Sequence, residues 1–189
     1  MIAAVLGQNA QAGYAFGFIP LRVTVGSMGF PAAPVFLTPL TSTLVHAGLW
    51  HVGFNMLILL WCGSQVERVI GPLGLIIMYV VGAYAAAAAQ FFVSPHYAEP
   101  IVGASGAISA VIGAFALSFG RAKAFTTNLR LNRWINVAWL MAAWVVLQTA
   151  TTWLAGTRGV LLATPAHVGG FAAGLLLQRP LLLWRYRKA

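Results

Sequence analysis

Residues 101–115 read IVGASGAISAVIGAF, with Gly103-Ala104-Ser105-Gly106 placed where a loop enters an apolar helix. A serine flanked by small residues at a helix start has an unobstructed hydroxyl and free backbone amides behind it, which suits a nucleophile. The same small residues let membrane helices approach closely, which suits packing alone. The run by itself leaves both readings open, and the rest of the chain separates them.

Composition sets the surroundings. Of the 189 residues, 60% are hydrophobic and 7% are charged, whereas a soluble domain carries about 25% charged residues. A soluble fold of this size cannot hide that much apolar surface, so the fold class is an all-α polytopic membrane protein. The formal charge of +9 would fit a nucleic-acid partner. The basic residues instead cluster in short inter-helix loops and at the C-terminus, so they read as membrane topology, with no nucleic acid as partner. The single cysteine, Cys62, lies in an apolar run; it excludes an intrachain disulfide and reads as a small buried hydrophobe.

Residues 1–17 are apolar at first, but Gln8, Asn9 and Gln11 interrupt them. The segment is shorter than an ordinary span of about 20 residues and lacks the charged start of a signal peptide. It reads as a short or truncated first membrane helix. Residues 18–41 carry Pro20, Pro31, Pro34 and Pro39, a spacing that forbids a regular spanning helix and predicts an outer membrane-associated loop. A helical core over 42–184 follows, with five expected spans at 42–62, 73–93, 102–119, 134–154 and 160–184; Gly71-Pro72 breaks the chain between the first two. Residues 185–189 form a basic tail.

One side of these spans receives Arg68, Arg121, Lys123, Arg130, Arg133, Arg179, Arg185, Arg187 and Lys188, and the other only Arg22 and Arg158. The positive-inside bias makes the C-terminus and the 120–133 loop cytoplasmic. The 18–41 loop and the loops near His96 and Arg158 then face outward.

The polar residues fall into place on that topology. The first span carries His46, His51 and Asn55; His51 and Asn55 are four apart and share a helix face. Ser105 opens the third span, and His167 stands near the start of the fifth. All three spans enter from outside, so at ~1.5 Å per residue Ser105, His51 and His167 all fall within roughly 5–12 Å of the outer surface. Packing alone does not predict that coincidence. His167, Gly170 and Gly174 share one face, and Gly106, Ala110 and Ala114 recur every four residues. These small faces let the two helices meet and bring the His167 ring to the Ser105 hydroxyl. Polar side chains in lipid are costly, which marks the cluster as a functional site.

The available chemistry is narrow. The chain has no aspartate, and its two carboxylates are Glu67 and Glu99, which excludes an aspartyl protease and a Ser-His-Asp triad. His46-Ala-Gly-Leu-Trp-His51 has neither the spacing nor the general-base glutamate of a zinc protease, so no metal is expected. A Ser-His dyad remains. His167 would take the Ser105 proton as general base and return it to the leaving amine. The His51 and Asn55 side chains, with the Ser105 backbone N–H, would hold the oxyanion.

The motifs His46-x4-His51-x3-Asn55, Gly103-Ala104-Ser105-Gly106 and Ala166-His167-Val168-Gly169-Gly170 with Gly174, in that order, resemble the rhomboid family of intramembrane serine proteases, of bacterial type. Glu67, twelve residues after Asn55, matches as well. The resemblance implies a rhomboid-like helical bundle, with Ser105 as nucleophile and His167 as its base. It implies an oxyanion hole lined by His51 and Asn55 and supported by His46, and close packing through Gly103, Gly106, Gly170 and Gly174. It further implies cleavage of single-span membrane proteins within the lipid bilayer, no cofactor, and residence in a bacterial inner membrane with the site opening outward. Three features depart from the family pattern. The first helix is short. Leu37-Thr38 stands where many members have Trp-Arg. Ser109 stands where many have an aromatic that packs on the catalytic histidine.

Other residues read more plainly. His96 is a surface loop residue, and Glu67 with Arg68 forms an ion pair or helix-end cap. Trp134, Trp139, Trp144, Trp153 and Trp184 form mostly an interfacial belt or lipid-facing surface. Two rival functions fit the same cluster: a noncatalytic rhomboid-like protein that binds or chaperones membrane helices, and a small-solute channel.

Overall fold

The structure, a computed structural model, describes residues 9–119, 126–154 and 163–187. Residues 1–8, Arg121, Lys123, Arg158, Lys188 and the start of the expected 160–184 span lie outside the described residues. Among the described residues seven α-helices follow in order: α1 Asn9–Phe16, α2 Pro20–Val25, α3 Thr38–Thr41, α4 Leu49–Val93, α5 Ser105–Phe119, α6 Leu129–Leu154 and α7 Thr164–Arg185. Among the described residues no strand forms; the one extended pairing is an isolated antiparallel bridge between Phe18 and Ile101.

Two expected spans join in α4. Its 45 residues run without interruption except at Gly71, where φ is 80° and ψ 165°. Pro72 disfavours helical backbone at the residue before it, and glycine takes the positive φ without steric cost. The break therefore falls at the expected dipeptide, but helix fills 63–70, where a connection was expected. Pro72 has no N–H to give the Arg68 carbonyl. Arg185, at the end of α7, supplies a donor here: its Nη1 donates to the carbonyl oxygens of Glu67 at 3.0 Å and Arg68 at 2.6 Å. Glu67 thus contributes its main chain here.

The first expected span also starts later than hydropathy suggests. Ser42–Leu44 is a 3-10 turn and α4 begins at Leu49. The Ser42 hydroxyl donates to the Pro39 carbonyl at 3.1 Å and that of Thr43 to Leu40 at 2.7 Å; such local bonds compete with a regular helix. By length and composition, α4 is the helix among the described residues that is long and apolar enough to cross a membrane. α5 is apolar but has 15 residues, and α6 and α7 do not reach the same combination. The expected count of five spans therefore does not follow from helix length and hydropathy.

Small residues bring α4, α5 and α7 together. A Cβ placed on Gly170 would run into the Gly106 carbonyl oxygen, and one on Gly174 into that of Ala110. These are the faces expected from sequence. A third face joins them: a Cβ on Gly82 would come within 2.5 Å of the Ala110 Cβ, and one on Gly106 within 2.7 Å of Ala86. α5 is consequently buried nearly all round, with Ala107, Ile108, Ala110, Val111 and Ala114 at 1% exposure or less.

The segment 18–41 is irregular, with α2, a 3-10 turn at Val35–Leu37 and α3. It leans on the loop before α5. Phe18 and Ile101 exchange backbone bonds of 3.0 and 2.8 Å, and the Gly103 N–H donates to the Ser42 carbonyl at 2.9 Å.

Candidate active site

Ser105 is the first residue of α5 and His167 stands one turn into α7, after Pro165. The Gly170–Gly106 approach holds these helix starts side by side, and His167 Nε2 lies 2.9 Å from Ser105 Oγ. Both side chains are buried. This is hydrogen-bond distance, the geometry a hydroxyl nucleophile needs from its base.

The turn before Ser105 is shaped by Gly103, whose φ is +116°. A Cβ there would sit 2.7 Å from His51 Cε1 and 2.8 Å from His51 Nε2. Glycine is required on both counts, because positive φ strains other residues and the His51 ring already occupies the space. The ring also meets His46 edge-on, with centroids 5.2 Å apart. His46 Nε2 accepts from the Ala104 backbone N–H at 3.4 Å, so His46 contacts the nucleophile turn directly.

Asn55 follows His51 by one helical turn and is fully buried. Its Oδ1 accepts from Gln148 Nε2 on α6 at 3.1 Å. Asn55 Nδ2 and His51 Nδ1 are buried with no hydrogen-bond partner among the described residues. A buried polar atom left unbonded costs about 1–3 kcal/mol; the His51 ring lies against the Gly103 turn just before Ser105 and Asn55 is one helical turn further on, so unbonded atoms on this face of α4 suit donation to a developing negative charge. A cavity of about 40 Å³ lies beside the Ser105–His167 pair, lined by Gly103, Ser105, His167 and Ala86 among others; His51 and Asn55 do not line it.

Two residues that sequence reasoning missed complete the site. Trp144 was expected in the belt or facing lipid, but it is buried at 4% exposure. Its indole N–H donates to Ser109 Oγ at 2.7 Å, and its ring meets His167 edge-on at 6.4 Å with an interplanar angle of 70°. The Ser109 hydroxyl in turn donates to the Ser105 carbonyl at 2.7 Å. The aromatic ring beside the histidine therefore comes from α6, where the departure at Ser109 left none on α5. Gln148 is the second; an amide following the apolar run 137–147 of this helix was the available signal. Trp134 and Trp139 are exposed, as a lipid-facing reading requires.

Comparison with known proteins bears on the family of the chain. The Rhomboid domain model matches residues 35–184. Rhomboid protease GluP of Bacillus subtilis is 37% identical over 75 residues, covering 40% of this chain and 14% of its own. Rhomboid-type serine protease 2 of Emericella nidulans is 28% identical over 145 residues, 75% of this chain and 25% of its own. Rhomboid protein 1, mitochondrial, of Saccharomyces cerevisiae is 30% identical over 141 residues, 71% of this chain and 39% of its own. The chain thus spans well under half the length of each of these relatives. With the family model covering most of its length and all the motif residues, the chain belongs to the rhomboid family.

Proposed function

We propose that the chain is an intramembrane serine endopeptidase that cleaves transmembrane substrates with a Ser105–His167 dyad. The observation that carries this reading is the 2.9 Å separation of His167 Nε2 and Ser105 Oγ. Neutral His167 takes the hydroxyl proton as Ser105 Oγ attacks the scissile carbonyl carbon. The resulting imidazolium returns that proton to the departing amine. A water then enters, gives a proton to His167 as its oxygen adds to the acyl carbon, and the bond from that carbon to Ser105 Oγ breaks as His167 returns the proton to Oγ. The carbonyl oxygen, negative in the tetrahedral intermediate, is met by the Ser105 N–H at the start of α5, the Asn55 amide and His51. His46 supports the turn through Ala104.

These groups complete the chemistry without a metal or organic cofactor. The substrates are single-span membrane proteins in the bilayer. The residence is a bacterial inner membrane, with the C-terminus cytoplasmic and the site opening toward the outer face; the basic residues on the α7 end of the bundle support that orientation.

The test is covalent labelling of the purified chain by a fluorophosphonate, together with cleavage of a transmembrane reporter. Labelling at Ser105 that is lost in Ser105→Ala and His167→Ala is expected. A folded protein that neither labels nor cleaves would overturn the reading.

A further inference from the structure

α6 carries none of the motif residues, yet one of its faces reaches the site twice. Trp144 and Gln148 are four residues apart on this helix, so they point the same way. Both are buried, at 4% and 2% exposure. Each hydrogen-bonds to a residue on a different helix: Trp144 to Ser109 on α5 and Gln148 to Asn55 on α4. The two partners are not arbitrary. Asn55 is a candidate oxyanion donor, and Ser109 bonds the carbonyl of Ser105 itself.

We propose that this face of α6 is the positioning face of the site, with Gln148 setting the Asn55 amide and Trp144 setting the His167 ring. A primary amide has one accepting and one donating end. Gln148 Nε2 donates to Asn55 Oδ1, so the opposite end, Nδ2, is turned away from α6 and left unbonded. With Gln148 presenting its NH2 as it does here, rotating the Asn55 amide by half a turn would set two NH2 groups against each other. Gln148 therefore holds the donating end of Asn55 available for the oxyanion. Trp144 works on the other half of the reaction. Its indole is locked at one point by the bond to Ser109, so the ring cannot swing and forms a fixed wall at the edge of the imidazole. That wall limits rotation of His167 away from Ser105 Oγ. Neither residue touches the reacting atoms, so both are positioning residues.

The inference rests on the proteolytic reading, and a cleavage assay with double-mutant cycles tests it. Gln148→Met keeps the length of the side chain and removes the amide. It should lower kcat about tenfold and leave KM unchanged, because it disturbs an interaction made in the transition state. In the Asn55→Ala background the same change should cost less than about twofold, because the group it orients is gone. Trp144→Phe keeps an aromatic ring and removes the N–H. It should lower kcat about fivefold in the parent and much less in Ser109→Ala. It should also shift the pH profile of kcat/KM, which Gln148→Met should not. If Gln148→Met fails to fold, Gln148→Asn withdraws the amide by one methylene and carries the same comparison.

Effects that simply add in the two backgrounds, or that fall on KM alone, overturn the positioning role while leaving the protease reading intact. A wild-type chain that neither labels nor cleaves overturns the protease reading, and the positioning role with it.

Discussion

Replacing Gly103 by alanine tests the nucleophile turn at its tightest point. Two separate costs follow from the structure. The backbone there has φ of +116°, and a non-glycine residue held in so sparsely populated a region costs about 1–3 kcal/mol. The added methyl would also stand 2.7 Å from His51 Cε1, where carbon atoms prefer about 3.5–4.0 Å. The ring must retreat by roughly 1 Å to relieve this, and forcing bulk into a packed site costs a further ~1–3 kcal/mol. The turn, the ring or both will shift by that distance. A misplacement of ~1 Å in a catalytic constellation costs on the order of 100-fold.

The assays are kcat for a transmembrane reporter and the melting temperature in one detergent. Gly103→Ala should lose about 100-fold in kcat and melt several degrees lower. Adding His51→Ala removes the clash but not the backbone strain, so it should restore part of the melting temperature and none of the activity. If Gly103→Ala cleaves at the wild-type rate, the turn does not set the geometry of the reaction. If it melts lower with kcat intact, His51 is no part of the oxyanion site.

Three further outcomes are expected. Gly170→Ala, whose methyl would meet the Gly106 carbonyl, should force α5 and α7 apart. It should abolish fluorophosphonate labelling at Ser105 even in protein that remains folded by circular dichroism. Arg185→Met removes the donors that serve the Glu67 and Arg68 carbonyls. It should lower stability by about 1–2 kcal/mol in a denaturant titration, with kcat unchanged in the folded fraction. Acidification protonates His167, which then has no lone pair for the Ser105 proton. The labelling rate should therefore fall on the acid side with a single-proton slope.

Much of the site was legible because its parts share a direction and a depth. Ser105, His51 and His167 stand in the first turn of their helices and Asn55 in the second, and period and rise were enough to expect them together. The glycine faces were legible for a related reason: small residues at helical spacing mean close approach whatever the partner. The partner itself was less visible. Gly82 and Ala86 belong to an alanine-rich stretch of α4 whose pattern is small on several faces, so sequence did not reveal which side meets α5. Trp144 was misread for the same kind of reason. An apolar helix with tryptophans at several turns looks alike toward lipid and toward protein, and only the Ser109 hydroxyl opposite the indole decides the side. The late start of α4 escaped because hydropathy does not register the hydroxyls of Ser42 and Thr43, which bond to carbonyls just behind them.

The contact between Gly170 and Gly106 makes the dyad spacing a main-chain dimension. Two backbones touching act like a machined stop: their separation is fixed by atomic radii and not by the rotamers of whatever side chains lie nearby. Residues on the outward faces of α4 and α7 can then drift in size and shape without moving the serine from the histidine. Tolerance to change should be broad over the lipid-facing surface and fall away abruptly at a few glycines, none of which takes part in the chemistry.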